Sequence, residues 1–232
     1  WTVLPNITTT RLVRTVSTLR TNRSLNALQN TINATNNSNT QIITVCDREA
    51  DIYDFFELAQ AQKSKVLVRA AQDREINKKS KYSKKDRQYL WRVVSGFQCA
   101  GEIAVKDTSQ ENKANRIRHL EVRFGKFIMN PPVNNVRHKT ETLPNLPVYA
   151  INVIELRPPS GTTPLEWMLL TNIVINNFEE AIEKVRWYCL RWRIEIFHKI
   201  LKSGFRVEQC RLATGERLIK YLTIMSIIAW RI

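Results

Sequence analysis

The sequence predicts a mixed α/β fold in which antiparallel strands separate a strand–helix–strand unit from a helical end. Three observations predict it: two β-branched runs flank a helical pattern at 41–70, strand-like segments occupy 97–172, and a helical period begins near Asn177. The chain has 232 residues, 43% of them hydrophobic. This is enough to bury a real core, either in one large domain or in one domain with an insertion.

The first unit reads as strand, helix and strand. Residues 41–46 (Gln-Ile-Ile-Thr-Val-Cys) and 65–70 (Lys-Val-Leu-Val-Arg-Ala) are nearly continuous β-branched or apolar runs, which is typical of buried strands. Residues 50–62 between them carry apolar side chains at helical spacing. A βαβ unit of about 30 residues predicts that the two strands pair in parallel. A short helix is also expected near 25–32.

A basic segment and a β section follow. Residues 72–87 hold seven Lys and Arg residues without an apolar period, which fits a solvated loop or a phosphate-contacting loop equally well. The β section has four strand-like segments separated by loops containing Asn, Pro and Gly. They are 98–106, 119–129, 148–156 and 165–171. We interpret this section as an insertion rather than a separate domain.

The C-terminal part is helical. Asn177 with Glu180 forms a capping-box pattern, and the helical period runs to Lys202, with Gly204 as a stop. Because about 25 residues is long for one globular helix, a break near Arg191 is expected. A last helix is expected from about Gly215. One helical face, roughly 80° wide at 100° per residue, is polar and mostly basic. It consists of Tyr188, Arg191, Glu195, Lys199 and Lys202.

The charge of the chain favours nucleic acid as the partner. The net charge is +15 and the sequence pI is near 10.0. The four cysteines show neither CxxC nor zinc spacing, and the apolar run 224–230 is too short to span a bilayer. No signal peptide is visible, so we expect a cytoplasmic protein and no membrane partner. The chain begins at Trp1 and breaks off after an apolar helix, and we expect a fragment at both ends.

Two carboxylates stand out as candidate metal ligands. Asp47 follows a buried strand, where ligands bind in open α/β sheets, although an Asp there can equally cap the next helix. Glu195 is a carboxylate among fixed cations, although it can equally form an i,i+4 salt bridge with Lys199 or Arg191. Together they suit a divalent metal held against a phosphate backbone. His198 lacks a second ligand at metal spacing and is expected to be structural.

The spacing Tyr188-x2-Arg191-x3-Glu195-x6-Lys202 matches the YREK signature, and this chain resembles bacterial DDE transposases of the insertion-sequence-four type. The segment 45–52 (Val-Cys-Asp-Arg-Glu-Ala-Asp-Ile) looks like the one that carries the second catalytic aspartate of those enzymes. The segment 164–171 (Pro-Leu-Glu-Trp-Met-Leu-Leu-Thr) resembles the end of their β insertion. The resemblance covers about residues 40–232.

The resemblance implies an RNase H-like fold and cut-and-paste transposition, with Asp47 and Glu195 as two of three catalytic carboxylates that bind Mg²⁺, for which Mn²⁺ may substitute. The residues expected to contact DNA are Tyr188, Arg191, Lys199, Lys202, Trp167 and Arg48. Trp167 resembles a tryptophan that stacks on a flipped base, which is as plausible here as core packing. The expected partners are double-stranded DNA at transposon ends and, for the intact protein, a second copy in a synaptic complex.

The implied organisation is a partial catalytic core at 1–96, the antiparallel β insertion at 97–175 and the C-terminal helices of the core at 176–232. One departure matters, because residues 1–46 contain no Asp. The first catalytic aspartate of the family is therefore missing, the RNase H-like fold is incomplete, and this chain alone is expected to be inactive. Two alternatives stay open: another RNase H-like endonuclease, and a non-catalytic DNA-binding remnant.

Overall fold

A computed structural model of the chain describes residues 2–4, 8–13, 19–35, 40–76, 87–106, 117–132 and 142–232. The strands in these ranges are β1 (Thr2–Leu4), β2 (Thr8–Val13), β3 (Gln41–Cys46), β4 (Lys65–Arg69), β5 (Glu75–Ile76), β6 (Gln88–Tyr89), β7 (Cys99–Lys106), β8 (Ile117–Met129), β9 (Leu146–Glu155) and β10 (Glu166–Thr171). The helices are α1 (Leu19–Thr35), α2 (Tyr53–Ala61), α3 (Leu90–Ser95), α4 (Phe178–Cys189), α5 (Arg193–Lys199) and α6 (Gly215–Arg231). The mixed α/β prediction is confirmed.

The described strands form one sheet in the order β1-β2-β3-β4-β10-β9-β8-β5-β6, with β7 also paired to β8. The pairs β2–β3 and β3–β4 are parallel, and the other pairs are antiparallel. The predicted βαβ unit is confirmed, since β3 and β4 pair in parallel from Ile43 opposite Lys65 to Cys46 opposite Val68. The carboxyl ends of these two strands therefore meet at one edge.

Each face of the sheet carries its own core, which explains why β3 and β4 are nearly all apolar. Val45 and Leu67 point into a core with α4, where Ala181 and Val185 are buried. The alternate residues, Cys46 with Val66 and Val68, point into a core with α1, α2 and α3. Helices on both faces of the parallel part hold the β3–β4 edge rigidly.

The four segments of the predicted β section are confirmed as strands, with bounds close to those expected. They do not form a sheet of their own, because β10 pairs antiparallel with β4, placing Leu169 opposite Arg69. The section therefore extends the central sheet. Of the basic segment, residues 77–86 lie outside the described ranges. Its described ends are ion-paired, Arg87 with Glu75 at 3.8 Å and Arg74 with Asp51.

The C-terminal helices follow the prediction with one refinement. The Asn177 side chain accepts a hydrogen bond from the Glu180 N–H at 2.9 Å, as a capping box requires. The Glu180 carboxylate accepts from the N–H of Asn176, one residue earlier than the usual return bond. The expected break near Arg191 is confirmed as a 3₁₀ turn over Leu190–Trp192, and a π-helical turn follows over Ile200–Gly204.

In the described parts of the chain, no helix combines the length and the apolar character that crossing a membrane requires. The longest apolar stretch lies in α6, which begins at the predicted Gly215 and is capped by the Thr214 side chain. Of its residues, only Ala229 is buried.

Candidate active site

Asp47 lies directly after β3, at the carboxyl edge shared by the parallel strands. Strand β3 ends because the Asp47 side chain accepts a hydrogen bond from the Arg48 N–H at 2.9 Å and caps a 3₁₀ turn over Arg48–Ala50. The carboxylate remains 43% exposed. One side chain therefore shapes the local turn and keeps its oxygens open to solvent.

Tyr188 approaches Asp47 from the last turns of α4. Its hydroxyl donates a hydrogen bond to Asp47 Oδ1 at 3.3 Å, although 141 residues separate the two in sequence. Burial and, to a smaller extent, the negative charge of Asp47 raise the pKa of Tyr188 to about 12, although the positive charges of Arg69 and Arg191 oppose the shift. The phenol therefore stays protonated at neutral pH and acts as a donor at the site.

Arg191 joins the two predicted carboxylates. One guanidinium nitrogen lies 3.6 Å from Asp47 Oδ2, and the other bonds Glu195 Oε1 at 2.9 Å. Burial alone would lower the pKa of Arg191, but the hydrogen bond with Glu195 and the charge of Asp47 raise it above its ordinary value. Asp47 and Glu195 are therefore held on either side of one positively charged group.

Each of the two carboxylates also makes the local contact that the sequence allowed for it. Asp47 does cap the following turn, and Glu195 does form an i,i+4 ion pair with Arg191. Neither local contact engages both oxygens of its carboxylate, because Glu195 is 64% exposed and the cap leaves Asp47 Oδ2 facing Arg191. A metal ion shared by the two carboxylates would take the place of Arg191 between them.

The other residues predicted to contact DNA differ in their exposure and in their partners. Trp167 on β10 packs edge-on against Tyr188, with ring centroids 5.1 Å apart, so it lies both in the core and beside the cluster. Arg48 and Lys199 are exposed. Lys202 is exposed and pairs with Glu208 at 2.9 Å. His198, expected to be structural, packs edge-on against the Phe197 ring.

Sequence reasoning missed Arg69, the last residue of β4. Its positive charge opposes the rise in the pKa of Tyr188, and its guanidinium donates to the Glu166 carbonyl at 3.3 Å. The parallel register contained the signal: Cys46 lies opposite Val68, so the residues that follow them, Asp47 and Arg69, are neighbours at the same edge. Arg69 adds a third cationic or phenolic group around Asp47.

Asp51 lies only four residues after Asp47, but it does not share the position of Asp47 in the site. Its side chain is instead fully buried and ion-paired with Arg74. One carboxylate oxygen accepts hydrogen bonds from the backbone N–H groups of Ala71 at 2.7 Å and Gln72 at 3.2 Å. Asp51 therefore anchors the chain that leaves β4 and is not part of the candidate site.

The donor chemistry of Asp47 and Glu195 fits a hard divalent cation. Mg²⁺ prefers oxygen ligands and is often held by one or two carboxylates together with substrate phosphates. Within the ranges that the structure describes, no cluster of three or more His, Cys, Asp or Glu side chains is arranged to hold a metal. The described residues thus offer a pair of carboxylates, with the guanidinium of Arg191 and the phenol of Tyr188 in contact with them.

Comparison with protein families identifies the family of the chain but does not bear on single residues. The family model described as "Transposase DDE domain" matches residues 8–231, which is nearly the full length of the chain. The match includes the strand that precedes Asp47, the antiparallel section and the helices that carry Tyr188, Arg191 and Glu195. Transposases of this family act on DNA and normally use divalent metal ions. The chain belongs to the transposase DDE domain family.

Proposed function

We propose that this chain belongs to a cut-and-paste DNA transposase of the insertion-sequence-four type, which cleaves and transfers strands at transposon ends. The observation that carries the proposal is the cluster in which Arg191 bridges Asp47 and Glu195 while Tyr188 bonds Asp47. These residues come from elements 141 or more positions apart, and the three from the helical end stand at the YREK spacing.

In this proposal each side chain has a defined task. Asp47 and Glu195 would hold Mg²⁺ or Mn²⁺, which would activate a water, and later a 3′-hydroxyl of the DNA, as the nucleophile and would stabilise the leaving oxygen. Tyr188, protonated at neutral pH, donates to a phosphate oxygen, and Arg191 and Arg69 offer guanidinium groups to the same strand. Lys199, Lys202 and Arg48 extend the basic surface, and Trp167 stacks on an extruded base.

Catalysis by this chain alone is not part of the proposal. Residues 1–46 contain neither Asp nor Glu, so that segment supplies no third carboxylate beside β3. We propose that residues 1–96 form an incomplete RNase H-like core, that 97–175 form an insertion, and that 176–232 form the C-terminal helices of the core, which carry Glu195. A synaptic homodimer of the intact protein, located with the nucleoid, belongs to the same proposal.

The test separates binding from cleavage. The purified 232-residue chain should bind duplex DNA with a steep salt dependence, and Lys202→Ala should weaken binding and reduce the salt slope by about one. It should not cleave transposon-end DNA with Mg²⁺ or Mn²⁺. In a form that also carries the third carboxylate, Glu195→Gln should abolish cleavage and leave binding intact.

Each competing function gives a different result in these assays. Unchanged cleavage by Glu195→Gln would remove Glu195 from the site. Preference for branched junctions over paired transposon ends would indicate another RNase H-like endonuclease. The lack of acidic residues in 1–46 favours one further candidate, a non-catalytic DNA-binding remnant. Metal-independent binding without cleavage, even when the third carboxylate is restored, would identify it.

A further inference from the structure

Arg191 occupies the place between the two carboxylates that would bind metal. Its two terminal nitrogens contact different acids, Asp47 at 3.6 Å and Glu195 at 2.9 Å. A guanidinium is a planar fork with no acceptor atoms, so it fits two carboxylates at once and cannot bind a cation itself. Without it, two like charges would face each other across the site.

A divalent cation competes directly with this arginine. It needs lone pairs on the carboxylates that now contact the guanidinium, and it would be repelled by a fixed positive charge a few ångströms away. Arg191 stays charged, because a guanidinium group is not deprotonated in proteins. The side chain is also more than three-quarters buried, which limits solvent screening of the repulsion.

A DNA phosphate gives Arg191 another partner. Guanidinium groups bind phosphate with two parallel hydrogen bonds, as they bind carboxylate. Arg191 remains 23% exposed, and the positive charges of Arg191 and Arg69 both act on Tyr188. A phosphate bound by Arg69 would therefore lie within reach of the same fork.

We infer that Arg191 keeps the Asp47–Glu195 pair closed to divalent cations until a DNA phosphate draws its guanidinium away. This inference rests on the proposed function and adds a regulatory step to the same site. It couples the two ligands: DNA should raise the affinity for the cation, and by linkage the cation should raise the affinity for DNA by the same factor. Such coupling limits metal binding, and with it strand cleavage, to the DNA-bound protein.

The test measures Mn²⁺ binding to the 232-residue chain without DNA, by electron paramagnetic resonance and calorimetry. Arg191→Gln should bind Mn²⁺ at least about tenfold more tightly than wild type, because one fixed charge is removed beside the ligands. Arg193→Gln is the matched control, since Arg193 is an exposed arginine two residues away, and it should leave the affinity unchanged. Adding Asp47→Asn to Arg191→Gln should abolish the gain.

A second series adds a short DNA duplex, with Mn²⁺ bound by the duplex alone subtracted. Wild type should then gain Mn²⁺ affinity, and Arg191→Gln should gain much less. If Arg191→Gln loses the wild-type near-UV circular dichroism, Arg191→Lys replaces it, because a lysine reaches one carboxylate at a time and should give an intermediate gain. A folded variant with wild-type or weaker Mn²⁺ affinity in the absence of DNA would overturn the inference.

The inference and the proposed function fail in different ways. If the protein is not a transposase, the form that also carries the third carboxylate shows no Glu195-dependent cleavage, while the Mn²⁺ series without DNA is unaffected. If Arg191 does not block the site, cleavage still depends on Glu195 while Arg191→Gln leaves Mn²⁺ affinity unchanged. If Arg191→Gln binds Mn²⁺ more tightly but DNA does not change the Mn²⁺ affinity of the wild type, the release of Arg191 by a DNA phosphate would be overturned.

Discussion

Replacing Asp51 by Ala should destabilise the protein by about 3–5 kcal/mol, the range for breaking a buried ion pair by removing one partner. The Asp51 side chain is fully buried and the Arg74 side chain is only 14% exposed. Removing the carboxylate leaves the guanidinium without its counter-charge. It also leaves the backbone N–H groups of Ala71 and Gln72 without their acceptor. A loss of this size corresponds to a fall in Tm on the order of 10 °C for a chain of this length.

Urea denaturation of Asp51→Ala and Glu49→Ala gives a direct comparison within one acidic motif. Glu49 is exposed, so its replacement should change the free energy of unfolding by less than about 0.5 kcal/mol. Adding Arg74→Met to Asp51→Ala should recover part of the loss, because the uncompensated charge is then gone. Equal stability of the Asp51 and Glu49 variants, or no recovery in the double variant, would refute the structural role of Asp51.

Two further predictions concern the candidate site. Because the pKa of Tyr188 is raised to about 12, its neutral form stabilises the fold fully below pH 10, and this contribution of roughly 2–3 kcal/mol is lost as pH rises from 10 to 12. Urea unfolding at both ends of that window should show a smaller loss for Tyr188→Phe than for wild type, and parallel losses would contradict the assignment. Arg69→Gln should weaken DNA binding and reduce the salt slope by about one, as measured by fluorescence anisotropy. The exposed Arg157→Gln is its control, and equal effects would remove Arg69 from the site.

The parallel strands could be predicted because burial on both faces leaves a mark in the sequence. Strands covered by helices on each side lose the polar alternation, so 41–46 and 65–70 read as continuous apolar runs. The antiparallel section was visible for a related reason, since its strands are bounded by residues that favour turns. Asp51 could not be assigned, because its role depends on where the chain passes 20 residues later.

The polar face of the C-terminal helices shows where a periodicity argument stops. Constant rotation of 100° per residue places Tyr188, Arg191 and Lys202 on one stripe, but the structure inserts a 3₁₀ turn and a π-helical turn into that stretch. These turns rotate by more and by less than an α-helix for each residue, so the stripe does not stay straight. Tyr188 and Arg191 contact Asp47, whereas Lys202 turns to Glu208. The helical pattern therefore identified which residues belong to the polar face, but not which of them contact Asp47.

Arg191 takes part both in a local helix contact and in the candidate site. An i,i+4 pair between Glu195 and Arg191 is an ordinary helix contact worth a few tenths of a kcal/mol when exposed. That contact acquires a second meaning only because Asp47, from a different element, reaches the same guanidinium. A weak local pair is easily exchanged for a phosphate, whereas a strong one would hold the site closed. The exposure of Glu195, which makes the pair look incidental, is what allows Arg191 to leave it.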